Sequence, residues 1–150
     1  MKHEAEPIIS WGKAYIPTPI ISFGNAVKNF YAKYFDFKSR ARRSEFWWAF
    51  LYVLIAEFVL VGIFTFLNLN FEDLFFHIAD IFLFGIPLLA LSVRRLHDMD
   101  KSGWYIFIAL IPLIGGIILF FWWIKNSTVG LNNWGVSPKY SEVEISDDEV

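Results

Sequence analysis

Three long apolar runs constrain the fold of this chain more than any other feature of its sequence. They cover residues 46–67, 74–93 and 104–124, and the third contains no charged residue. An α-helix that rises about 1.5 Å per residue needs roughly 20 residues to cross a hydrocarbon core of about 30 Å. Soluble domains are about 45–50% apolar, whereas this chain is 56% hydrophobic. We therefore predict an all-α integral membrane protein with three transmembrane helices.

The distribution of basic residues around these runs predicts an orientation in the membrane. Most of them precede the first run or lie between the second and third runs: Lys28, Lys33, Lys38, Arg40, Arg42, Arg43, Arg94, Arg95 and Lys101. The connection at 68–73 has no basic residue and two acids. Because cytoplasmic loops carry an excess of Lys and Arg, we place the N-terminus and the second connection in the cytoplasm.

The third run carries Pro112, Gly115 and Gly116, which interrupt a regular helix. These residues predict either a kink in a single span or a re-entrant hairpin that returns the chain to the side from which it entered. Since the run is too short for two full crossings, we favour one kinked span. A third full span would leave the C-terminus outside.

The regions that flank the spans divide the chain into three parts. Residues 1–21 are expected to form an irregular arm, residues 22–138 the membrane domain, and the acid-rich residues 139–150 a disordered tail. The membrane domain begins with apolar residues at helical spacing, namely Phe23, Val27, Phe30, Tyr31 and Tyr34. With Ser22 as its N-cap, this segment predicts an amphipathic helix, which either lies in the cytoplasmic interface or docks on the spans of the protein itself.

Three sequence boxes occur in a fixed order along the chain. They are residues 34–48 (YFDFKSRARRSEFWW), the stretch from Pro87 through RRLHD at 94–98 to Ser102-Gly103-Trp104, and PLIG at 112–115 followed by Gly130, Asn132 and Gly135. Together they resemble a family of small bacterial inner-membrane proteins, domain of unknown function 805. The resemblance implies an inner-membrane location and no assigned activity. Asp100 stands where the family commonly has glycine, and because Asp tolerates a left-handed backbone, we expect the turn to form.

Two of these boxes supply the candidate binding residues. They are Arg40, Arg42, Arg43, Glu45, Arg94, Arg95, His97, Asp98 and Lys101. Arginines at the cytoplasmic end of a span bind phosphates of anionic lipids or a protein partner. Alternatively, the boxes only anchor the topology and form a tight turn in which Asp98 pairs with an arginine or caps a helix. We also predict that Glu45 pairs with Arg94 or Arg95 and thereby joins the first two spans.

Three polar residues within the predicted spans are a second set of candidates. Glu57, His77 and Asp80 are predicted at similar depths, and ionisable groups in membranes often mark ion or proton paths. Alternatively, Glu57 or Asp80 is neutral and hydrogen-bonds between spans. The chain has no cysteine and only three scattered histidines, so we predict no metal site or cofactor.

These observations favour a membrane component that is not an enzyme, with a structural or interaction role. The expected partners are anionic lipid headgroups, a membrane protein or further copies of the chain, and the arginine runs are attributed to topology rather than to nucleic acid. The alternative is an oligomeric ion or proton channel, or a small transporter, that uses the intramembrane acids.

Overall fold

The computed structural model describes residues 7–10, 13–68 and 74–143. Its helices are α1 (Phe23–Ala32), α2 (Arg43–Phe66), α3 (Leu74–Asp80), a π-helical segment (Ile81–Gly85), α4 (Ile86–His97), a 3₁₀ helix (Gly103–Leu110) and α5 (Ile114–Ile124). Its strands are β1 (Ile8–Ser10), β2 (Lys13–Pro17), β3 (Leu131–Asn132), β4 (Gly135–Val136) and β5 (Tyr140–Val143). The described part of the chain is mostly helical, as predicted from its apolar runs, but it also contains two small sheets.

Two of the three predicted spans are helices of membrane-crossing length. One is α2 itself, with 24 residues, and the other runs without a break through α3, the π-helical segment and α4, from Phe75 to His97. At about 1.5 Å per residue both exceed the 30 Å thickness of a hydrocarbon core. Large apolar side chains remain exposed along them, Phe58 and Phe66 among them. Such continuous apolar surface is characteristic of helices that face lipid.

The third run does not form the single kinked span that we favoured. Instead, the 3₁₀ helix and α5 are joined by a turn at Leu113, where φ is +64°, and they pack side by side. The ring of Tyr105, early in the 3₁₀ helix, contacts the ring of Trp122, near the end of α5, with 5.4 Å between centroids. Each arm is only about 16 Å long. The run therefore folds back on itself as a helical hairpin, and Gly115 allows its two arms to approach closely.

The two ends of the chain are ordered where we expected irregular structure. Within residues 7–10 and 13–17 the arm forms β1 and β2, and β5 pairs antiparallel with β2. The predicted disordered tail is thus wrong for Tyr140–Val143, where Tyr140 is buried and Glu142 pairs with Lys13 at 2.7 Å. The rest of the predicted tail lies outside the described residues. We use the name polar cap for the sheet of β1, β2 and β5 together with residues 36–42, 98–102 and 125–140.

Helix α1 occupies the segment for which we predicted an amphipathic helix. The Ser22 hydroxyl accepts a hydrogen bond from the backbone N–H of Asn25 and caps the helix. Ala26 and Phe30 are buried, and Phe30 joins the core of the protein against α2 and α4. Helix α1 therefore packs on the two long helices of the protein, and its position in the membrane interface stays a prediction.

Candidate functional site

The turn at the end of α4 has the geometry that we expected from its sequence. The backbone N–H of Lys101 returns to the carbonyl of Leu96 at 3.0 Å. Asp100 adopts a left-handed conformation with φ of +58°. Its Oδ1 also accepts hydrogen bonds from the backbone and side-chain nitrogens of Asn133. Asp100 therefore replaces a glycine in this turn and holds the chain that follows the hairpin.

Asp98 is the centre of a buried ion network. Its Oδ1 accepts from Nε of Arg40 at 3.1 Å and lies 3.0 Å from Nη2 of the same side chain. Its Oδ2 accepts from Nη1 of Arg95 at 2.6 Å and from the hydroxyl of Ser127. The side chains of Asp98 and Arg95 are completely buried. One carboxylate thus joins segment 36–42, the last turn of α4 and the chain beyond the hairpin.

Arg40 binds the backbone at the Gly-x-Asn-x-x-Gly pattern. Its Nη1 donates to the carbonyls of Gly130 at 3.0 Å and Gly135 at 2.9 Å, and its Nη2 donates to the carbonyl and hydroxyl of Thr128. Gly130 and Gly135 have φ of +69° and +113°, where a side chain would strain the backbone. Asn132 donates to the carbonyl of His97 at 2.9 Å. The resemblance named the two glycines and the asparagine, but it gave no sign that Arg40 binds there.

Burial and pairing act in opposite directions on this network. Burial lowers the pKa of Arg40 and raises that of Asp98, because each charge loses its hydration. The contact between the two groups opposes both shifts and favours the charged pair. At Asp36, burial also raises the pKa, but hydrogen bonds from Ser39 and Lys38 outweigh it and lower the value to about 2.

A second ion pair joins the two long helices, as the sequence predicted. Nη1 of Arg94 lies 2.8 Å from Oε1 of Glu45, and the side chains are 0% and 4% exposed. Glu45 lies in the first turn of α2 and Arg94 in the last turn of α4, where acidic and basic groups respectively favour the helix dipoles. Nε and Nη2 of Arg94 have no hydrogen-bond partner among the described residues. The pair therefore orders the fold without satisfying every donor.

Arg95 and Arg43 bind the end of the hairpin. Arg95 donates to the carbonyl of Trp123 at 3.1 Å and to that of Lys125, and Arg43 donates to the carbonyl of Ile124 at 3.0 Å. The last carbonyls of a helix have no partner within the helix, so these guanidinium groups cap α5. They hold the C-terminal end of α5 beside the start of α2 and the end of α4.

His97 does not form a catalytic pair with Asp98. Its Nδ1 lies 3.3 Å from the carbonyl oxygen of Ser39, and its ring stacks on Trp134 with 3.6 Å between centroids. The imidazole borders an apolar cavity of about 420 Å³ that Trp104 and other apolar side chains line. His97 thus packs between the 36–42 segment and the β3–β4 turn, while the carboxylate of Asp98 is directed to the arginines.

Most of the candidate binding residues are buried and do not form an exposed basic surface. Arg40, Arg94 and Arg95 are buried and bonded within the protein, as are the candidates Glu45, His97 and Asp98. Their acceptors include the carboxylates of Glu45 and Asp98, which the sequence suggested. Backbone carbonyls such as those of Gly130 and Trp123 also accept from them, and no sequence pattern indicated these. Arg42 is also buried and lines a separate cavity. Arg43 is exposed and Lys101 is partly exposed. The Nζ of Lys101 lies 4.4 Å from the centroid of the Trp122 ring.

The structure also brings the intramembrane candidates together. Glu57, His77 and Asp80 line one cavity of about 380 Å³, and the Glu57 and Asp80 carboxyl groups are close enough to interact. Aromatic side chains form much of the remaining wall. The site is therefore a polar group of three within apolar surroundings.

The π-helical segment next to Asp80 involves Tyr34, which sequence reasoning did not single out for this contact. The N–H of Ile86 binds the carbonyl of Ile81, and Pro87 has no N–H to offer the next carbonyl. That carbonyl belongs to Phe82, and the hydroxyl of Tyr34 donates to it. Tyr34 thus satisfies a carbonyl that the proline leaves without a partner. The position of Pro87 is the one sequence signal for this contact.

Comparisons with known proteins agree with this architecture. A family model described as protein of unknown function (DUF805) matches residues 34–136. Inner membrane protein YhaI of Escherichia coli K12 is 35% identical over 112 residues, which cover 71% of this chain and 89% of the relative. Inner membrane protein YhaH of the same strain is 37% identical over 109 residues, with the same coverage. No solved structure is significantly similar.

Proposed function

This chain belongs to the DUF805 family, and we propose that it is a non-catalytic inner-membrane component with a structural or interaction role. Its similar relatives are inner membrane proteins, and two of its helices are long and apolar enough to cross a membrane. The observation that carries the proposal is the network around Asp98. The charged residues of the family-like boxes bind one another and the backbone, so they serve the architecture rather than a reaction.

We propose that α2 and the helix from Phe75 to His97 cross the membrane, with the polar cap in the cytoplasm. The excess of Lys and Arg near the cap supports this orientation. The hairpin then enters from the cytoplasmic side and returns to it, so that residues 125–143 lie on the same side as β2, with which β5 pairs. The N-terminal and C-terminal segments therefore share the cytoplasmic face.

The partners that we propose are anionic lipids and another membrane protein or a second copy of this chain. Arg43 and Lys101 keep cationic groups at the edge of the polar cap, next to tryptophan rings. Trp104 is 79% exposed at the start of the hairpin, and indole rings favour the headgroup level of a membrane. This arrangement of cation and indole suits a protein that is fixed at the cytoplasmic headgroups.

Purification from the inner membrane tests the proposal. Wild-type protein should retain phosphatidylglycerol in native mass spectrometry, and the double variant Arg43→Gln with Lys101→Gln should retain less. Lys13→Gln, which lies on the exposed face of the sheet, should behave as wild type. Equal retention by all three proteins would contradict the lipid contact. A partner that copurifies with wild type and Lys13→Gln but not with the double variant would support the interaction role.

Introduced cysteines test the orientation, because the chain contains no cysteine of its own. Ser10→Cys and Lys139→Cys should both react with a membrane-impermeant thiol reagent only after the inner membrane is opened. Asn68→Cys should react in spheroplasts, where the periplasmic face is accessible. Labelling of Lys139→Cys in intact spheroplasts would show that the hairpin does not return to the cytoplasm.

An oligomeric ion or proton channel is the second candidate, favoured by the shared cavity of Glu57, His77 and Asp80. Two interacting carboxyl groups in an apolar environment can hold one proton between them. Proteoliposomes with a pH gradient should then show proton flux with wild-type protein. The flux should disappear with Glu57→Gln and Asp80→Asn together, and its absence in wild type would exclude this candidate.

A further inference from the structure

A polar cavity of about 470 Å³ lies between α1 and the segment 18–21, away from the residues of the proposed lipid contact. Asn25, Asn29 and Lys33 line it from α1. They are four residues apart, so they share one face of the helix. That face adjoins the one that Ala26 and Phe30 bury against the core. Two amide groups and an ammonium group are therefore aligned along one wall of the cavity.

Arg42 lines the same cavity from the start of α2 and is only 8% exposed. Its Nη1 donates to the hydroxyl of Thr18 at 2.9 Å and to the carbonyl of Pro19 at 2.7 Å. Its Nε and Nη2 have no acceptor among the described residues, and neither atom is fully enclosed by protein. The guanidinium group is thus held in place on one side and has free donors on the other.

This buried cation also has no ion-pair partner within the described part of the chain. Glu45 also lines the cavity, but it and Asp98 act on Arg42 only through space. Glu45 already binds Arg94, and Asp98 binds two other arginines. A charge that is largely removed from water without a directly paired counter-ion is disfavoured, so an anion bound to the free donors would compensate Arg42. Lys33, which also has no ion pair there, adds a second positive charge to the same wall.

We propose that this cavity binds a phosphate group, either the phosphodiester of a lipid headgroup or a free phosphate or phosphomonoester. The planar guanidinium of Arg42 can offer Nε and Nη2 as a two-pronged donor, a geometry that suits phosphate oxygens. Lys33 supplies a mobile charge, and the side-chain N–H groups of Asn25 and Asn29 donate to the remaining oxygens. The inference goes beyond the proposed function, because none of these residues takes part in the lipid contact at Arg43 and Lys101.

Two binding measurements on the full chain distinguish the sources of the phosphate. In the first, inorganic phosphate is titrated into protein in an uncharged detergent, and the thermal unfolding midpoint is followed. In the second, protein in phosphatidylcholine nanodiscs is compared with protein in discs that contain phosphatidylglycerol, and bound lipid is counted by native mass spectrometry. Lys33→Gln is the test variant. Lys28→Gln is the matched control, since it removes the same charge from α1 but lies outside the cavity.

Binding of either ligand should weaken about fivefold in Lys33→Gln, as expected for the loss of one cation near an anion, and stay within twofold of wild type in Lys28→Gln. Arg42→Lys keeps the charge but loses the two-pronged donor. This variant should still fold, and it should also bind the phosphate group more weakly than wild type. Binding in the first measurement assigns the site to soluble phosphate, and binding in the second alone assigns it to lipid. No binding in either, or equal losses in Lys33→Gln and Lys28→Gln, would overturn the inference.

Discussion

Removing one partner of the Glu45–Arg94 pair should destabilise the protein far more than removing both. Glu45→Gln leaves the guanidinium of Arg94, which is 0% exposed, without its counter-ion. Breaking a buried pair in this way costs about 3–5 kcal/mol, a large part of the 5–15 kcal/mol that stabilises a typical domain. The thermal unfolding midpoint should fall by on the order of 10 °C. Arg94→Gln should have a similar effect, because it leaves the carboxylate buried.

The double variant Glu45→Leu with Arg94→Met provides the decisive comparison. It removes both charges and also the Nε and Nη2 groups of Arg94 that have no partner among the described residues. Replacing a buried pair by apolar side chains is often neutral or stabilising, so this variant should unfold within about 1 kcal/mol of wild type. Lys38→Met controls for the loss of one charge near the start of α2, because the Lys38 side chain is exposed.

Tryptophan fluorescence during thermal unfolding in detergent would measure wild type and the four variants, with the amount of protein in the membrane as a second reading. If the unfolding free energies of the single variants lay within about 0.5 kcal/mol of the wild-type value, a buried and unscreened pair would be refuted. If the loss of unfolding free energy in the double variant equalled the sum of the losses in Glu45→Gln and Arg94→Gln, the two residues would act independently.

Three further outcomes follow from local geometry. Gly115→Ala should lower the unfolding midpoint, at a cost of about 1–3 kcal/mol, because the new methyl carbon would lie 1.8 Å from the carbonyl oxygen of Ile108 across the hairpin. Tyr34→Phe should cost about 1 kcal/mol in the same assay, since the carbonyl of Phe82 loses its donor. The Asp36 carboxylate, with a pKa of about 2 instead of 3.8, should stabilise the fold above pH 4. That stabilisation should be lost as the pH falls towards 2, as measured by the difference in midpoint between wild type and Asp36→Asn.

Each of these outcomes has a matched control. Gly116→Ala should be neutral or slightly stabilising, since nothing lies within 4 Å of the added methyl group; a straight third span would make the two glycine variants alike. Tyr105→Phe should not change the midpoint, because the Tyr105 hydroxyl makes no hydrogen bond among the described residues. A difference between wild type and Asp36→Asn that persisted at pH 2 would contradict the lowered pKa.

Local patterns predicted those parts of the fold that depend on neighbouring residues in the chain. The apolar periodicity and Ser22 predicted α1 and its cap, and the tolerance of Asp for a left-handed backbone predicted the turn at Asp100. The pairing of Glu45 with Arg94 was also predictable, because both residues were placed at the same membrane face. The strands at the two ends were missed, since β2 and β5 pair across almost the entire length of the chain and neither is long or apolar.

The sequence by itself determined that the chain enters a membrane, which end carries the basic residues, and which family it belongs to. Hydrophobic length and charge distribution decide these properties, and both can be read residue by residue. Only the tertiary structure decided that the third run folds back on itself, since Gly115 matters through its contact with Ile108 rather than through its neighbours in sequence. The same is true of the arginines: their positions suggest a basic surface, but the acceptors that bury most of them come from segments distant in the chain. Arg42 remains as a buried cation without a directly bonded carboxylate or an α5 carbonyl among the described residues, and this distinguishes it from the others.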